Sequence, residues 1–444
     1  NIFQNLIKTY MLKKPLVLSA DIGTSSLKAA LIDSDGSLAA FARKAYSIRP
    51  AYSAYPAWAG AALTTVWENA LEEAISVLFA EYAALTGLNA ADRLEAICIS
   101  ANGPTLVPYT IDGKSLPPLL WCDGRVAGAA SGESVEAKSL FLPHVAWLAQ
   151  NEPALYEKTK YFISAQEWVS FALGAEPTTA LPNSLYEAYY WDKSQCASFG
   201  LDMAKFPPFV EMGRVIGGVS EKAAQRFSLK PHTRIIAGAP DFIAALIGTG
   251  VVEQGLVCDR AGTSEGINLC ASLPETSEAP TFDGLRNLPH IHEGRRNLGC
   301  VIPQSGSLFD QYRMESDQWH CNYDELLRST IQEKGRGYAT LATMALQVKN
   351  ALGTFQKNGF TITEMRVSGG QAKSKLWNQL KADLTGCVLI IPKIADGELA
   401  GNSCLAAVAL GRAKNIGEAA ARLFREKERY EPRAVLSDNL DKFF

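Results

Sequence analysis

The chain has 444 residues, with 43 Lys+Arg against 46 Asp+Glu and a formal net charge of −3. A composition of 47% hydrophobic, 9% aromatic and 20% charged residues excludes a disordered chain and suits two large domains or about three ordinary ones. Near-neutral charge without a basic block argues against a nucleic acid or an anionic membrane surface as the main partner, and no apolar run reaches the roughly 18 residues of a membrane span.

Asn1 to Tyr10 precedes Met11, lacks the features of a signal peptide and is left out of the fold. Pro15 to Ala20 predicts the first strand, which ends at Asp21-Ile22-Gly23-Thr24-Ser25-Ser26. Leu27 to Asp33 predicts the second, Asp35-Gly36 a tight turn, and Ser37 to Arg43 a third. Apolar residues at helical spacing predict a helix over Ala61 to Thr86, stopped by Gly87. Strand Leu94 to Ser100 follows, then a Gly/Pro-punctuated stretch, Asn102 to Arg125. This order points to a mixed α/β domain with ligands at strand ends.

Gly238-Ala239-Pro240-Asp241-Phe242 suits a helix start, with Ala244 to Ile247 packing beneath. Gly255 to Asp259, Arg260-Ala261-Gly262-Thr263-Ser264 and Gly266 to Ala271 then repeat the early strand, turn and strand, which suggests internal duplication. Met365 to Pro392 reads as strand, Gly369-Gly370, a helix over Ser374 to Leu384, and strand. Helices over Ser403 to Gly411 and Ile416 to Tyr430 close the chain. Nine scattered cysteines without a Cys-x-x-Cys pair predict buried, reduced thiols of a cytoplasmic protein. His290 and His292 would share one face of a strand, but two ligands are too few for zinc.

Small residues after a strand let backbone N–H groups face one way, so Asp21 to Lys28 predicts an anion nest suited to phosphate. Thr24, Ser25 and Ser26 add hydroxyls and Lys28 a positive charge, while Asp21 is placed to hold a water-clad Mg²⁺. The alternative is a polar hairpin turn. Gly262-Thr263-Ser264 predicts a second nest, and Gly369-Gly370 a backbone segment lying flat against a base or ribose, unless each is an ordinary turn. Asp241 is either an N-cap or a general base that takes a proton from an attacking hydroxyl. Trp121, Asp123 and Arg125 suit a polyol, through stacking on C–H faces and directional hydrogen bonds, or else form a surface loop anchored by one Trp.

Taken in order, Asp21-Ile-Gly-Thr-Ser-Ser-Leu-Lys28, Leu120-Trp-Cys-Asp-Gly-Arg125, Gly238-Ala-Pro-Asp241, Ala261-Gly-Thr-Ser264, Ser368-Gly-Gly-Gln-Ala-Lys-Ser374 with Trp377 and Ala382-Asp383, and Glu398-Leu-Ala-Gly401 form a pattern. From about Leu16 to Pro432 the chain resembles the FGGY carbohydrate kinases. The resemblance implies an α/β fold of duplicated ribonuclease-H-like domains of the actin-like ATPase kind, with a cleft between them. The expected domains are 11–245, carrying the sugar site and first phosphate loop, and 246–444, binding nucleotide.

It implies transfer of the γ-phosphoryl of Mg-ATP to a hydroxyl of a small-molecule sugar or polyol, a ketopentose such as xylulose first among them. Asp241 matches the catalytic base and Asp21 the aspartate near Mg²⁺. Gly23, Thr24 and Ser25 match the first phosphate loop, Gly262 and Thr263 the second, and Gly369, Gly370 and Ser374 the adenosine segment. Asn102, Gly103, Trp121 and Asp123 fall where relatives contact the sugar. Similar kinases also suggest a homodimer.

The chain departs from the pattern at three places. Ala101-Asn-Gly-Pro-Thr105 stands where xylulokinases carry Gly-Gln-Met-His-Gly and glycerol kinases an Arg-Glu pair. His144 replaces a lysine, and the stretch between Glu333 and Tyr338 is shorter than the family's by some tens of residues. Two other readings remain from the sequence: a non-catalytic sugar-binding or regulatory descendant, against which Asp241 speaks, and an actin-like assembly ATPase, against which the Trp121/Asp123 loop speaks.

Overall fold

Leu16–Ile22 (β1) is buried along all seven of its residues, as befits a central strand covered on both faces. In the computed structural model, which describes residues 14–46, 59–121, 123, 138–273 and 280–433 (side chains of 59–62 excepted), this strand organises the first half of the chain. Ser26–Asp33 (β2) runs antiparallel to it, placing Lys28 opposite Asp21, and Leu38–Ala45 (β3) pairs antiparallel with β2. Asp33 closes the intervening turn by accepting from the backbone N–H of Asp35 and of Ser37, both at 2.9 Å. Leu94–Ala101 (β4) is parallel to β1 and sets Ser100 opposite Asp21. Val215–Gly218 (β5) and Arg234–Ile236 (β6) complete a sheet of order β3-β2-β1-β4-β6-β5, with β6 parallel to β4. Helix Ala59–Thr86 (α1) packs on β2 and β3 through Trp67, Leu71, Ile75 and Leu78, the three-to-four spacing of one buried face.

The second sheet is built from Val257–Ala261 (β7), Glu265–Ser272 (β8), Arg286–Pro289 (β9), Arg295–Ile302 (β10), Glu364–Ser368 (β11), Val388–Pro392 (β12) and Glu426–Tyr430 (β13). Its order is β9-β10-β8-β7-β11-β12-β13. The inner run β10-β8-β7-β11-β12 repeats β3-β2-β1-β4-β6 strand for strand, an antiparallel meander followed by two parallel strands. The duplication suggested by the two Gly-Thr-Ser turns is therefore a duplication of the whole ribonuclease-H-like sheet.

By internal packing the chain divides into two units. One runs to Ala244 and takes back Glu398–Ala419; the other holds Ala245–Gly397 and the residues from Ala420 onward. Helix Asp241–Gly248 (α2) and, further on, helix Gly397–Ala409 span the two divisions.

Three expectations need correction or completion. The last helix ends at Leu423, not Tyr430: Glu428 and Tyr430 turn inward while Glu426, Lys427 and Arg429 are exposed, a period of two that pairs this segment with β12. The helix before it starts at Gly397, six residues ahead of the expected Ser403, so that Glu398 lies in a first turn. Finally, Glu333 to Tyr338 is a closed connection. Helix Tyr323–Glu333 and helix Arg336–Lys357 (α3) are joined by Lys334, at φ 50°, and Gly335 alone, over a cluster containing Phe309, Leu327 and Leu341.

Of the cysteines described, Cys98, Cys196, Cys258, Cys270, Cys387 and Cys404 are buried, whereas Cys300 is half-buried and Cys321 exposed. His290 is spent structurally, its Nε2 against Val251 O at 3.2 Å and its Nδ1 accepting from the His292 N–H at 3.2 Å. Among the described residues no helix is long and apolar enough to cross a membrane.

Candidate active site

In the first unit the chemistry gathers at the C-terminal end of β1. Asp21 is buried there, and its Oδ1 accepts the Ser100 hydroxyl at 2.8 Å. Asn402, on the helix Gly397–Ala409 (α5 below, after Lys375–Thr385, α4), donates to Ser100 Oγ at 3.1 Å and to Ala20 O at 2.8 Å. Burial and the Glu398 carboxylate push the Asp21 carboxyl up to about 8, with Asp241 adding to the rise and Lys28 and Ser100 opposing it. Asp21, Asp241, Glu398 and Lys28 thus share one electrostatic neighbourhood. One carboxylate oxygen of Glu398 is buried there without a hydrogen-bond partner.

Two close backbone approaches fix this geometry. A Cβ on Gly238 would stand 1.7 Å from the Ile99 carbonyl oxygen, so the segment leading to Asp241 lies flat against β4. A Cβ on Gly401 would stand 1.9 Å from Ala244 O, so α2 and α5 cross backbone to backbone. Asp241 and Glu398 begin these two helices. Asp241 Oδ1 also accepts from the Phe242 N–H at 2.6 Å, so the residue tethers its own helix start as well as facing the site.

The first turn lies beside them. Gly23 N–H donates to Ser26 O at 3.0 Å, and Thr24 and Ser25 form its half-buried tip. The Trp121 indole N–H donates to Thr24 Oγ1 at 3.3 Å. Thr24, Asn102 and Trp121 rim a small hollow floored by Leu63, Trp67 and Leu120. The Asn102 side chain is engaged within the fold, Nδ2 donating to Ile22 O at 2.9 Å and Oδ1 accepting from Thr105 Oγ1 at 2.9 Å. Gly103 follows it, and Asp123 is buried with its N–H on Leu120 O at 3.0 Å. Arg125 lies outside the described residues.

In the second unit the turn Gly262–Ser264 repeats the first, with Gly262 N–H donating to Ser264 O at 3.0 Å and Thr263 and Ser264 exposed. Gly369, at the end of β11, has φ +100° and would place a Cβ 2.6 Å from Ala261 O, which demands glycine there. Gly370 has open space around it. Ser374 caps α4, accepting from the Trp377 N–H at 3.4 Å and donating to Asp324 Oδ1 at 2.8 Å. Gly262, Thr263, Gly369 and Gly370 thus gather where β7 and β11 end side by side.

The profile of the N-terminal domain of the FGGY family of carbohydrate kinases matches residues 16–248, and that of the family's C-terminal domain matches 334–410. The chain belongs to this family. The autoinducer-2 kinase of Klebsiella pneumoniae is 21% identical over 94% of this chain and 90% of its own length. The xylulose kinase of Bacillus subtilis is 22% identical over 96% and 94%. The ligand-bound xylulose kinase structure from Lactobacillus acidophilus superposes with a TM-score of 0.76 at 16% identity, over 97% of this chain and 96% of that one. The FGGY chain described here is accordingly a sugar phosphotransferase with the actin-like ATPase fold.

For an FGGY kinase the implied metal is Mg²⁺. Among the described residues no three His, Cys, Asp or Glu side chains converge tightly enough to cage an ion. Mg²⁺ takes one or two carboxylates and keeps its waters. The partnerless Glu398 oxygen beside Asp21 is an acceptor available to that water shell. Ser100 and Asn402 were passed over by sequence reasoning, and Glu398 was quoted in a motif but given no role. Glu398 had a visible signal, the Glu-Leu-Ala-Gly motif; Ser100 and Asn402 had none, because their roles exist only through partners far along the chain.

Proposed function

We propose that the chain transfers the γ-phosphoryl of Mg-ATP to a hydroxyl of a ketopentose, xylulose first among them. The observation that supports this reading is the shared neighbourhood of Asp21, Asp241 and Glu398 beside a turn to which the Trp121 indole is bonded. Asp241 accepts the proton of the attacking hydroxyl, whose oxygen bonds to the γ-phosphorus as the bond to the β–γ bridging oxygen breaks and ADP departs. A base of this kind contributes ~10²–10⁴ in rate. When bound, Mg²⁺ neutralises phosphate charge. Asp21 and Glu398 hold its waters, while Gly23, Thr24, Ser25 and Lys28 bind phosphate oxygens. Gly262 and Thr263 bind phosphate, with Gly369, Gly370 and Ser374 beside the adenosine. Trp121 and Asp123 orient the sugar, and Asn102 and Gly103 shape the wall of its site.

A second reading takes autoinducer-2 as the acceptor. It draws on the relative of that name and on the hollow's floor of Leu63, Trp67 and Leu120, which offers hydroxyls no partner. ADP release from Mg-ATP, measured across pentuloses, hexuloses, polyols, aldonates and autoinducer-2 with a blank lacking acceptor, separates the two. Strong release with xylulose supports the first reading. Release confined to autoinducer-2 replaces it with the second, and release equal to the blank throughout, with sugar still bound, would make the chain a regulatory descendant.

A further inference from the structure

Behind the Gly262–Ser264 turn lies a chain of buried polar groups that phosphoryl transfer does not itself require. Lys381 on α4 has no solvent exposure, and its ammonium reaches the buried carboxylates of Asp259 on β7 and Glu265 on β8. Burial and the neighbouring Glu265 hold the Asp259 carboxyl well above its ordinary range. Glu265 is held low: burial works against it, and the Lys381 charge and the hydroxyl of Ser305 outweigh that. One proton on Asp259 leaves the cluster neutral, the arrangement least costly to bury.

An ionised carboxylate only accepts, so direction propagates outward from Glu265. Its Oε2 takes the Ser305 hydroxyl at 2.5 Å. Ser305 Oγ then accepts from Gln371 Nε2 at 3.0 Å, and the same amide nitrogen donates to Gly262 O at 2.9 Å. Trp377 Nε1 donates to Gln371 Oε1 at 2.8 Å, so the amide fits only one way round. Gly262 O also receives the Gly306 N–H at 3.1 Å, and Thr263 O receives those of Ser305 and Ser307 at 3.1 Å each. The Gly262 and Thr263 carbonyls are therefore held inward, and the exposed tip of the turn, Thr263 and Ser264, is fixed in advance of any ligand.

We propose that Ser305 and Gln371, anchored on Glu265 of the Lys381–Asp259–Glu265 cluster, are positioning residues that set the affinity of the Gly262–Ser264 turn for nucleotide phosphates. This rests on the reading that the turn contacts the nucleotide. A turn whose carbonyls are free must be ordered when phosphate arrives, and that ordering weakens binding. Lys381 itself is a poor probe, since its loss strands two buried carboxylates; Ser305 and Gln371 are milder.

The test is calorimetric titration of the full chain with Mg-ADP, which needs no knowledge of the sugar. Ser305→Ala and Gln371→Met are each expected to raise the Kd for Mg-ADP about 5- to 10-fold, as loosening of the hydrogen-bonded support behind the turn would. Their nucleotide-free melting temperatures should stay close to that of the parent. Thr263→Glu, an exposed change that sets a carboxylate against phosphate, tests the underlying reading separately. If Thr263→Glu weakens Mg-ADP binding while both other variants bind like the parent, the positioning role is overturned and the turn's role stands. If Thr263→Glu binds Mg-ADP like the parent, the turn does not meet the nucleotide and both fall. Weakening of Ser305→Ala and Gln371→Met only in step with a drop in melting temperature would mark them as structural and overturn the proposal.

Discussion

Ser100 donates its hydroxyl to Asp21 Oδ1 at 2.8 Å, straight across the parallel register of β1 and β4. The bond orients a carboxylate that burial and two acidic neighbours otherwise disfavour as an anion. Ser100→Ala is expected to lower kcat/KM about 10-fold, the effect of losing a charge-assisted bond worth about 1.4 kcal/mol. An unchanged kcat/KM would show that Asp21 is held without Ser100.

Asp241→Asn keeps the shape of the side chain and its acceptor for the Phe242 N–H, but removes its basicity. Turnover should fall ~10²-fold or more while sugar binding, measured by calorimetry, stays nearly intact. A variant with full turnover would remove Asp241 from the base role.

Gly238→Ala should destabilise the fold by about 3 kcal/mol or more in urea unfolding, because the new methyl collides with the Ile99 carbonyl, 1.7 Å away. Gly353→Ala, near the C-terminal end of α3 with open space around it, is the contrasting case. It should stabilise by about 0.5–1 kcal/mol. Equal effects at the two sites would contradict the backbone contact between Gly238 and β4.

Glu167, buried in helix Ala165–Leu173, accepts from the Ala180 N–H at 3.0 Å, and burial pushes its carboxyl up to about 7. An unfolded Glu titrates near about 4.3. Between these values the folded chain keeps a proton that the unfolded chain has lost, so this group's contribution to stability falls as pH rises and stays low above about 7. Glu167→Gln carries no such titration. Its denaturation midpoint should therefore exceed that of the parent by more at pH 8, above that window, than at pH 5, near its lower edge. Parallel pH profiles for the two proteins would rule out Glu167 as the source.

What could be read from the sequence was local. The strand, Gly-Thr-Ser turn and strand were visible at both Gly23 and Gly262 because each is complete within one short stretch, Leu16 to Asp33 and Val257 to Ser272, and the buried face of α1 showed in its spacing. The start of α5 was obscured because Gly397 and Gly401 look like helix breakers; Gly401 serves instead to let α5 touch Ala244. Gln371 stood next to the glycine pair that drew attention, yet its partners Ser305 and Gly262 are 66 and 109 residues away. The segment Glu426–Tyr430 carries charges that suit a helix equally well, and only the free edge of β12 makes it a strand.

The bonds that finish β1 have a consequence for how the chain is made. Ser19 donates to Leu399 O at 2.8 Å, and Asn402 donates to Ala20 O, spans of 380 and 382 residues. Strand β1 thus waits for a helix synthesised some 380 residues after it. Until then Ser19 and the Ala20 carbonyl lack the partners that the finished fold gives them, and the site at Asp21 lacks Glu398. Contacts this distant in sequence are slow to form. A fragment ending at Ala244, though it holds every strand of the first sheet, should emerge as a protein still missing the piece that locks its centre.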